Sequence, residues 1–292
     1  MRRWQSAGLA ALMTSLVSVG AAMADQPHEK GLGLQTPVTT VMKDITFFHN
    51  GILMPIIVAI SVFVAGLLLY CIVRFNKKVN PVPAKFTHNT TIEIVWTLIP
   101  VLILVFISLF SFPLLYKADQ VPAKVDMTIK VTGHQWYWSY EYPDQKGISF
   151  DANALTAEDA KTANKPYLLA ADNAVYVPVN KTIRLQLTAS DVIHGFLVPA
   201  FGIQMDAAPG RLGEMWFNAD KVGTYYGQCT QICGIKHAYM PIEVKVVTQP
   251  EFDAWVASQQ SAQGIAPDQT QFAATSSTTA AASNSATLAQ AN

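Results

Sequence analysis

The stretch Cys229-Thr-Gln-Ile-Cys233-Gly-Ile-Lys-His237-Ala-Tyr-Met240 decides how this chain is interpreted, because it has the pattern C-x3-C-x3-H-x2-M. It brings two thiols, an imidazole and a thioether into twelve residues, and this set of soft ligands suits copper. One Cys with His and Met is typical of a mononuclear blue-copper site. The second Cys would allow two thiolates to bridge two copper ions with one imidazole on each, and His194 is the candidate for the second imidazole.

Two other interpretations of this stretch stay open when only the spacing is considered. Two cysteines in an oxidising compartment can form a disulfide, and Cys with His can hold structural zinc. A disulfide would leave His237 and Met240 without a role, and zinc would not recruit Met240. The spacing therefore favours copper and electron transfer. The third cysteine, Cys71, lies in an apolar run and is expected to be inert.

The composition is that of a membrane protein with an exported N-terminus. Hydrophobic residues make up 51% of the 292 residues and charged residues only 14%, and the net charge of zero predicts no nucleic-acid partner. The chain starts with Met1-Arg2-Arg3, continues with a short apolar run and reaches Ala22-Met23-Ala24. This order predicts a secretory signal peptide over residues 1–24, and its shortness argues against a first membrane helix.

Two uncharged runs, residues 51–73 and 94–116, predict a transmembrane helix hairpin over residues 49–116. Each run has 23 residues, enough to cross a hydrocarbon core of about 30 Å. The loop between them, residues 74–93, carries four basic side chains and no acid before its last residue: Arg74, Lys77, Lys78 and Lys85. The positive-inside rule places this loop in the cytoplasm of a bacterial inner membrane. Both mature termini, including residues 25–48, are then expected in the periplasm.

The pattern changes to short alternating apolar runs over residues 117–250, for example at Val125–Val131, Ile183–Leu187 and Ile242–Val246. Alternation of this kind, with Gly, Pro and Asn between the runs, predicts an all-β sandwich or barrel. The candidate ligands fall in its loops. Residues 251–292 are expected to form a short helix and then a disordered tail, because residues 257–292 hold a single charged side chain.

Four stretches have the character of motifs. They are Pro83-Ala-Lys-Phe-Thr-His-Asn89 with Glu93-Ile-Val-Trp-Thr97; Gly133-His-Gln-Trp-Tyr-Trp-Ser-Tyr-Glu-Tyr142; Asp191-Val-Ile-His194; and Asp206-Ala-Ala-Pro-Gly-Arg211 with Gly227–Gly234 and His237–Pro241. In this order they resemble subunit 2 of bacterial haem–copper cytochrome c oxidase, over roughly residues 45–256. The resemblance implies a two-helix transmembrane hairpin followed by an all-β cupredoxin-like barrel.

The resemblance also implies a dinuclear copper centre of the CuA type. Six residues would supply its ligands: Cys229 and Cys233 as bridges, His194 and Met240 on one ion, and His237 and the Gln231 carbonyl on the other. The centre would accept electrons from cytochrome c and pass them to haem in subunit 1. There oxygen would be reduced to water, coupled to proton pumping.

Five further residues acquire expected roles from the resemblance, each beside an ordinary alternative. Trp136 would be the point of electron entry, although a barrel aromatic packed in the core is the alternative. Glu141, Asp144 and Asp191 would meet the lysine ring of cytochrome c, or would be solvated surface charges. Glu93 would form the mouth of a proton path into subunit 1, or would simply favour the helix dipole.

Two positions depart from the family pattern. The family usually has Glu at position 231, where its carboxylate holds a magnesium ion at the interface with subunit 1. Gln231 keeps the carbonyl but loses the charge, so magnesium is expected to bind more weakly here. The family usually has Lys where Gln204 stands. The alternatives for the whole chain are a copper-free quinol oxidase subunit, which the intact ligand set disfavours, another CuA electron-transfer protein, and a non-catalytic scaffold.

Overall fold

The computed structural model describes residues 26–27 and 31–265, so the predicted signal peptide and most of the predicted tail lie outside the described residues. The described helices are α1 (Thr40–Phe47), α2 (Met54–Arg74), α3 (Thr90–Asp119), α4 (Ala157–Thr162) and α5 (Gln249–Ala262). The described strands are β1 (Met127–His134), β2 (Tyr137–Tyr142), β3 (Ile148–Ala152), β4 (Val175–Pro178), β5 (Thr182–Ala189), β6 (His194–Val198), β7 (Ile203–Ala207), β8 (Gly213–Asn218), β9 (Gly223–Cys229) and β10 (Pro241–Val247).

Two long apolar helical segments form the membrane part of the chain. Helix α1 continues through a π-helical turn, Phe48–Leu53, into α2, so helical backbone covers 35 residues, and α3 covers 30. At about 1.5 Å per residue, each segment exceeds the hydrocarbon thickness of a bilayer. Neither α2 nor α3 has a buried residue, as expected for helices that lipid or another subunit covers. The predicted hairpin is confirmed.

Helix α3 begins at Thr90, four residues before the uncharged run from which it was predicted. The cause is a local cap, because the Asn89 side chain accepts a hydrogen bond from the backbone N–H of Ile92 at 3.1 Å. Glu93 consequently lies in the first turn of the helix. The helix then continues through Pro100 and Pro113.

The predicted all-β domain is confirmed as two five-stranded sheets with the orders β3-β2-β1-β5-β8 and β4-β10-β9-β6-β7. Most neighbouring strands are antiparallel, but β1 pairs with β5, and β10 with β4, in parallel. Alternate residues of β2 point into the core, where Trp138, Tyr140 and Tyr142 are each at most 1% exposed. Three large aromatic side chains on one strand give the two sheets a wide apolar surface to share.

The chain just before α1 ties the membrane part to the β domain. The backbone N–H of Val38 donates to the Ala200 carbonyl at 3.2 Å, and the backbone N–H of Asp220 donates to the Val38 carbonyl at 2.9 Å. Thr39, which is 1% exposed, donates its hydroxyl to the Phe201 carbonyl at 2.7 Å. These bonds attach the residues before α1 to the turn after β6 and to the chain after β8, so the start of α1 packs against the β domain.

Candidate metal centre

Three loops meet at one end of the β domain: the turn between β1 and β2, the loop between β5 and β6, and the loop between β9 and β10. The last of these, residues 230–240, is closed at its base, because the N–H of Cys229 donates to the Met240 carbonyl at 3.2 Å. It is also tied to β6, because the N–H of Thr230 donates to the Gly195 carbonyl at 3.0 Å. The strands therefore hold both ends of the loop in place before any metal is bound.

Six candidate donor groups converge inside this loop region. The shortest separations are 3.3 Å from Cys229 Sγ to the Gln231 carbonyl oxygen, 3.5 Å from Cys233 Sγ to Met240 Sδ, 3.6 Å from Cys233 Sγ to His237 Nδ1, and 4.0 Å from Cys229 Sγ both to Cys233 Sγ and to His194 Nδ1. His194 and Met240 are 0% and 1% exposed. The structure thus gathers all six residues that the sequence predicted as metal ligands.

The donor set and its spacing fit copper better than the two alternatives. The sulfurs of Cys229 and Cys233 are not bonded to each other. Since a metal–thiolate bond is about 2.3 Å long, two sulfurs 4.0 Å apart can both reach one ion, and so can bridge a pair. A structural zinc site needs four ligands and no thioether, whereas Met240 is buried with its sulfur directed at Cys233. A His–Cys–Cys cluster that could bind copper is therefore present.

The two thiols differ in how readily they ionise. Burial raises the pKa of Cys229, but hydrogen bonds with His194 and with the backbone of Gly195 outweigh burial and bring this pKa to about 7. Burial and the neighbouring charge of Cys229 raise the pKa of Cys233 to about 12. One thiolate therefore forms easily and discourages the second until a cation replaces the second proton.

The imidazole of His194 is oriented by Asp191. Its Nε2 lies 2.9 Å from Asp191 Oδ1, which leaves Nδ1 facing the cysteine sulfurs. Burial alone would lower the pKa of His194, but hydrogen bonds with Cys229 and Asp191 raise it. Burial would raise the pKa of Asp191, but the hydrogen bond with His194 lowers it. A carboxylate behind a histidine ligand fixes the ring and increases its basicity, a role of Asp191 that the sequence analysis did not predict.

Three other residues at this site were missed as contributors in the sequence analysis. A Cβ at Gly133 would lie 2.8 Å from the His194 ring, and a Cβ at Gly195 would overlap the Thr230 side chain. Only glycine therefore allows the backbone at position 133 to approach His194, and that at position 195 to approach the loop of residues 230–240, so closely. Gln135 donates from Nε2 to the Cys233 carbonyl at 2.7 Å. Both Gly133 and Gln135 lie in the motif Gly133–Tyr142, but their contacts with His194 and with the Cys233 carbonyl are seen only in the folded structure.

Trp136 lies between the surface and the cysteine loop. Its side chain is partly buried, and its indole Nε1 donates to the Cys233 carbonyl at 3.3 Å. A Cβ at Gly234 would be 3.0 Å from Trp136 Cζ2, so the indole lies directly on the loop backbone. Trp138, which is 0% exposed, lies within the core, and Trp136 packs against the edge of that core.

The three predicted docking acids have different surroundings. Asp191 is close to Trp136, because its Oδ2 accepts from the N–H of the preceding residue, Gln135, at 2.7 Å. Glu141 forms an ion pair with Lys130 at 3.3 Å, and Asp144 accepts from the Thr128 N–H at 2.8 Å. Each acid therefore has a partner within the chain as well as an exposed surface.

The Gln231 side chain is directed at Asp206 on β7, away from the sulfurs. Its Nε2 donates to both carboxylate oxygens of Asp206, at 3.0 and 3.2 Å. Magnesium requires oxygen ligands, most often carboxylates, whereas here an amide N–H group occupies the near side of the carboxylate. These residues of the chain do not fit a tightly held magnesium ion. Gln204, the other departure from the family pattern, is exposed on β7.

Glu93 is remote from all these residues. It lies in the first turn of α3, whereas the β domain follows the last turn of that helix. Thirty residues of helix extend about 45 Å. Glu93 therefore lies near the opposite end of the membrane hairpin from the metal site.

Comparison with known proteins gives matches over both parts of the chain. The family described as "Cytochrome C oxidase subunit II, periplasmic domain" matches residues 127–247, and "Cytochrome C oxidase subunit II, transmembrane domain" matches residues 27–114. The chain is 43% identical over 274 residues to "Cytochrome c oxidase subunit 2" of Cereibacter sphaeroides, covering 85% of this chain and 89% of that protein. It is 48% identical over 235 residues to the "Probable cytochrome c oxidase subunit 2" of Rickettsia bellii, covering 80% and 86%.

A solved structure of a related domain is also similar to this chain. The periplasmic domain of subunit II of cytochrome oxidase from Bradyrhizobium japonicum is 51% identical, with a TM-score of 0.45. The match covers 49% of this chain and 98% of that one.

Proposed function

This chain belongs to the cytochrome c oxidase subunit II family, and on that basis we propose that His194 and the Cys229–Met240 loop hold two copper ions that receive electrons from cytochrome c. The chain is a membrane-anchored subunit of cytochrome c oxidase, a multi-subunit haem–copper oxidase. The observation that supports the copper proposal best is the convergence of six donor groups at one end of the β domain, where His194, Cys229, Cys233 and Met240 are buried. When bound, a pair of copper ions supplies a one-electron carrier whose charge is shared between two metals.

The protein residues supply rigidity and exclusion of water. The strands fix both ends of the loop, Asp191 orients His194, and Gln135 and Trp136 bind the Cys233 carbonyl. Cys229 and Cys233 are 6% and 3% exposed, so few waters can reorganise around them. A site whose ligands and surroundings move little suits electron transfer more than substrate chemistry.

We propose that six groups would hold the two ions: the thiolates of Cys229 and Cys233, shared between the ions, the imidazoles of His194 and His237, the Met240 thioether and the Gln231 carbonyl. Trp136 would then be the residue through which electrons enter, since its indole connects the surface to the Cys233 carbonyl. The acceptor would be haem in subunit I, where oxygen is reduced to water and protons are pumped. Glu141, Asp144 and Asp191 would face the donor.

The direction of insertion follows from charge. The loop between α2 and α3 holds four basic side chains and no acid before the helix cap, so the positive-inside rule places it in the cytoplasm. The β domain then lies in the periplasm, and the membrane is the bacterial inner membrane. Glu93, at the cytoplasmic end of α3, would form the entrance to a proton path into subunit I.

The copper proposal can be tested with one pair of cysteine variants in the intact oxidase. Cys229→Ser removes a bridging thiolate and is expected to abolish copper binding in this subunit and electron entry from cytochrome c. Cys71→Ser makes the same chemical change in α2, where the cysteine is exposed and remote from the loop, and should change neither. Copper analysis of the purified complexes and the rate of cytochrome c oxidation give the answer. Equal copper content in the two variants would contradict the proposal.

A further inference from the structure

A crevice opens between α1 and α3 at the end of the membrane hairpin that is nearer the β domain. We propose that it binds one zwitterionic phospholipid of that membrane leaflet, with the lipid phosphate against Lys117, the headgroup amine against Asp44 and the start of an acyl chain between the two helices. The inference goes beyond the proposed function, because neither the copper site nor the electron donor is involved in it.

The crevice has a volume of about 240 Å³ and combines one ion pair with an apolar wall. Its two charged residues are Asp44 on α1 and Lys117 on α3. Its other residues are all apolar: Phe47, Phe48, Ile52, Phe110, Pro113 and Leu114. A cavity of about 150 Å³ with an apolar lining is large enough to bind benzene, so this crevice has room for several carbons of an acyl chain.

The charged residues lie where the hydrocarbon layer ends, and the apolar residues lie deeper. Lys117 directly follows the uncharged run of α3, and its Nζ is 2.5 Å from Asp44 Oδ2, so the two residues are at the same level. The apolar residues of α3, within 110–114, precede Lys117 by three to seven positions, which places them about 5–10 Å further into the membrane. Residues 47–52 descend from Asp44 in the same way. The crevice therefore runs from the headgroup level into the acyl layer.

Both walls of the crevice depart from a regular α-helix at this level. On one wall, Phe48–Leu53 is a π-helical turn that ends where the Met54 N–H donates to the His49 carbonyl, five residues earlier. Turns of this kind occur frequently at functional sites. On the other wall, Pro113 has no N–H to donate, and a proline ring crowds the backbone of the preceding turn. Irregular backbone on both sides is consistent with two helices that do not close tightly against each other here.

The ion pair has hydrogen-bonding capacity that the described residues do not use. A lysine ammonium has three N–H donors, and among the described residues Lys117 donates only to Asp44 Oδ2, while Asp44 Oδ1 accepts no hydrogen bond from them. The two side chains are 48% and 49% exposed. A phosphate beside Lys117 and an ammonium beside Asp44 would alternate in sign with the protein charges. A lipid with a net negative charge would be repelled by Asp44, so the pair favours a zwitterionic headgroup.

The headgroup, more than the acyl chain, determines whether such a lipid is retained. Bilayer chains are as apolar as the crevice wall, so moving a chain from the bilayer into the crevice has no hydrophobic driving force. The contacts of the headgroup with Lys117 and Asp44 are specific to this place, and charge-assisted hydrogen bonds of this kind are the stronger ones. The site is therefore expected to discriminate between headgroups and to depend on Lys117.

Photo-crosslinking in the intact oxidase tests the proposal. The probe is phosphatidylethanolamine with a photoreactive group on its acyl chain close to the glycerol, in vesicles of equal parts phosphatidylethanolamine and phosphatidylglycerol. Crosslinked peptides identified by mass spectrometry should map to residues 47–52 and 110–114, and the same group on phosphatidylglycerol should label them more weakly. Lys117→Gln should lower the yield about threefold or more. Lys117→Arg, which keeps the charge, should retain the yield of the unmodified enzyme.

The matched control is Lys43→Gln. Lys43 directly precedes Asp44 and is similarly exposed, at 50%, but it pairs with Asp220 and does not line the crevice. Its replacement should leave the labelling unchanged. Equal labelling by the two lipids, or equal yields in Lys117→Gln and Lys43→Gln, would overturn the inference. So would label on other exposed residues of α3 but none in the crevice, the result expected if another subunit fills it. Copper content is measured on the same samples, and each of these outcomes leaves the proposed function intact.

Discussion

At the scale of single residues, the two cysteines differ because hydrogen bonds outweigh burial at Cys229, whereas burial and the charge of Cys229 act in the same direction at Cys233. In the metal-free chain, the pKa of about 7 predicts that the Cys229 thiolate appears between pH 6 and 8, while Cys233, with a pKa of about 12, stays protonated. Because the pKa of Cys229 is below its ordinary value of 9.0, this group stabilises the fold above pH 9 and the contribution is lost as pH falls through about 7.

Absorbance at the wavelength of the thiolate, followed against pH, measures this difference. Cys233→Ser should keep the transition near pH 7, and Cys229→Ser should remove it. If the transition survived in Cys229→Ser and vanished in Cys233→Ser, the assignment of the two thiols would be reversed.

The side chain at position 231 determines whether Asp206 has a neutral or a negatively charged neighbour. Gln231→Glu would place a carboxylate against Asp206, and two acids at this distance repel each other unless a cation lies between them. We therefore expect the variant to retain more manganese or magnesium and to keep its copper, since a backbone carbonyl does not depend on the side chain. Paramagnetic resonance of manganese-grown oxidase measures the retention. Gln228→Glu, which adds the same charge on β9, is the control, and equally tight manganese in all forms would refute the argument.

At the scale of elements, the contact between α1 and the β domain depends on a glycine. Gly202 has a φ of +68°, and a Cβ there would lie 3.0 Å from both Met42 Cβ and Ile45 Cδ1 of α1. Gly210 has a similar φ of +73° but open space around it. Gly210→Ala should lower the free energy of unfolding by about 1–2 kcal/mol through backbone strain alone. Gly202→Ala should add about 1–3 kcal/mol from overpacking against α1.

Denaturant unfolding of the detergent-solubilised chain, followed by tryptophan fluorescence, compares the two glycine variants. If both variants lowered the free energy of unfolding equally, packing against α1 would not be what disfavours a side chain at position 202.

The start of α3 can be tested separately from the metal site. Glu93→Ala and Glu93→Gln remove the charge about 40 Å of helix away from the end of α3 that leads into the β domain. If Glu93 admits protons, both variants should slow turnover of the oxidase and leave the copper spectrum unchanged. If it only favours the helix dipole, turnover should be normal in both, while the melting temperature falls slightly.

At the scale of the whole molecule, hydrophobic periodicity and ligand chemistry were sufficient to predict the helices, the β domain and the donor residues. The contacts between the loops are seen only in the structure. Uncharged runs and alternating apolar residues were sufficient for the hairpin and the β domain, because burial in lipid or in a core follows directly from side-chain polarity. The six donors followed from residue type, spacing and resemblance. The closeness of Gly133 to His194, and the bond from Gln135 to the Cys233 carbonyl, depend on how three loops pack. No local pattern encodes such contacts.

The central claim is that this chain holds two copper ions that share one electron. Electron paramagnetic resonance of the intact oxidase, with copper enriched in a single isotope, tests it most directly. The six converging donors predict hyperfine splitting from two equivalent copper nuclei, which disappears in Cys229→Ser and persists in Cys71→Ser. Splitting from a single copper nucleus, or a signal unaffected by Cys229→Ser, would contradict the account.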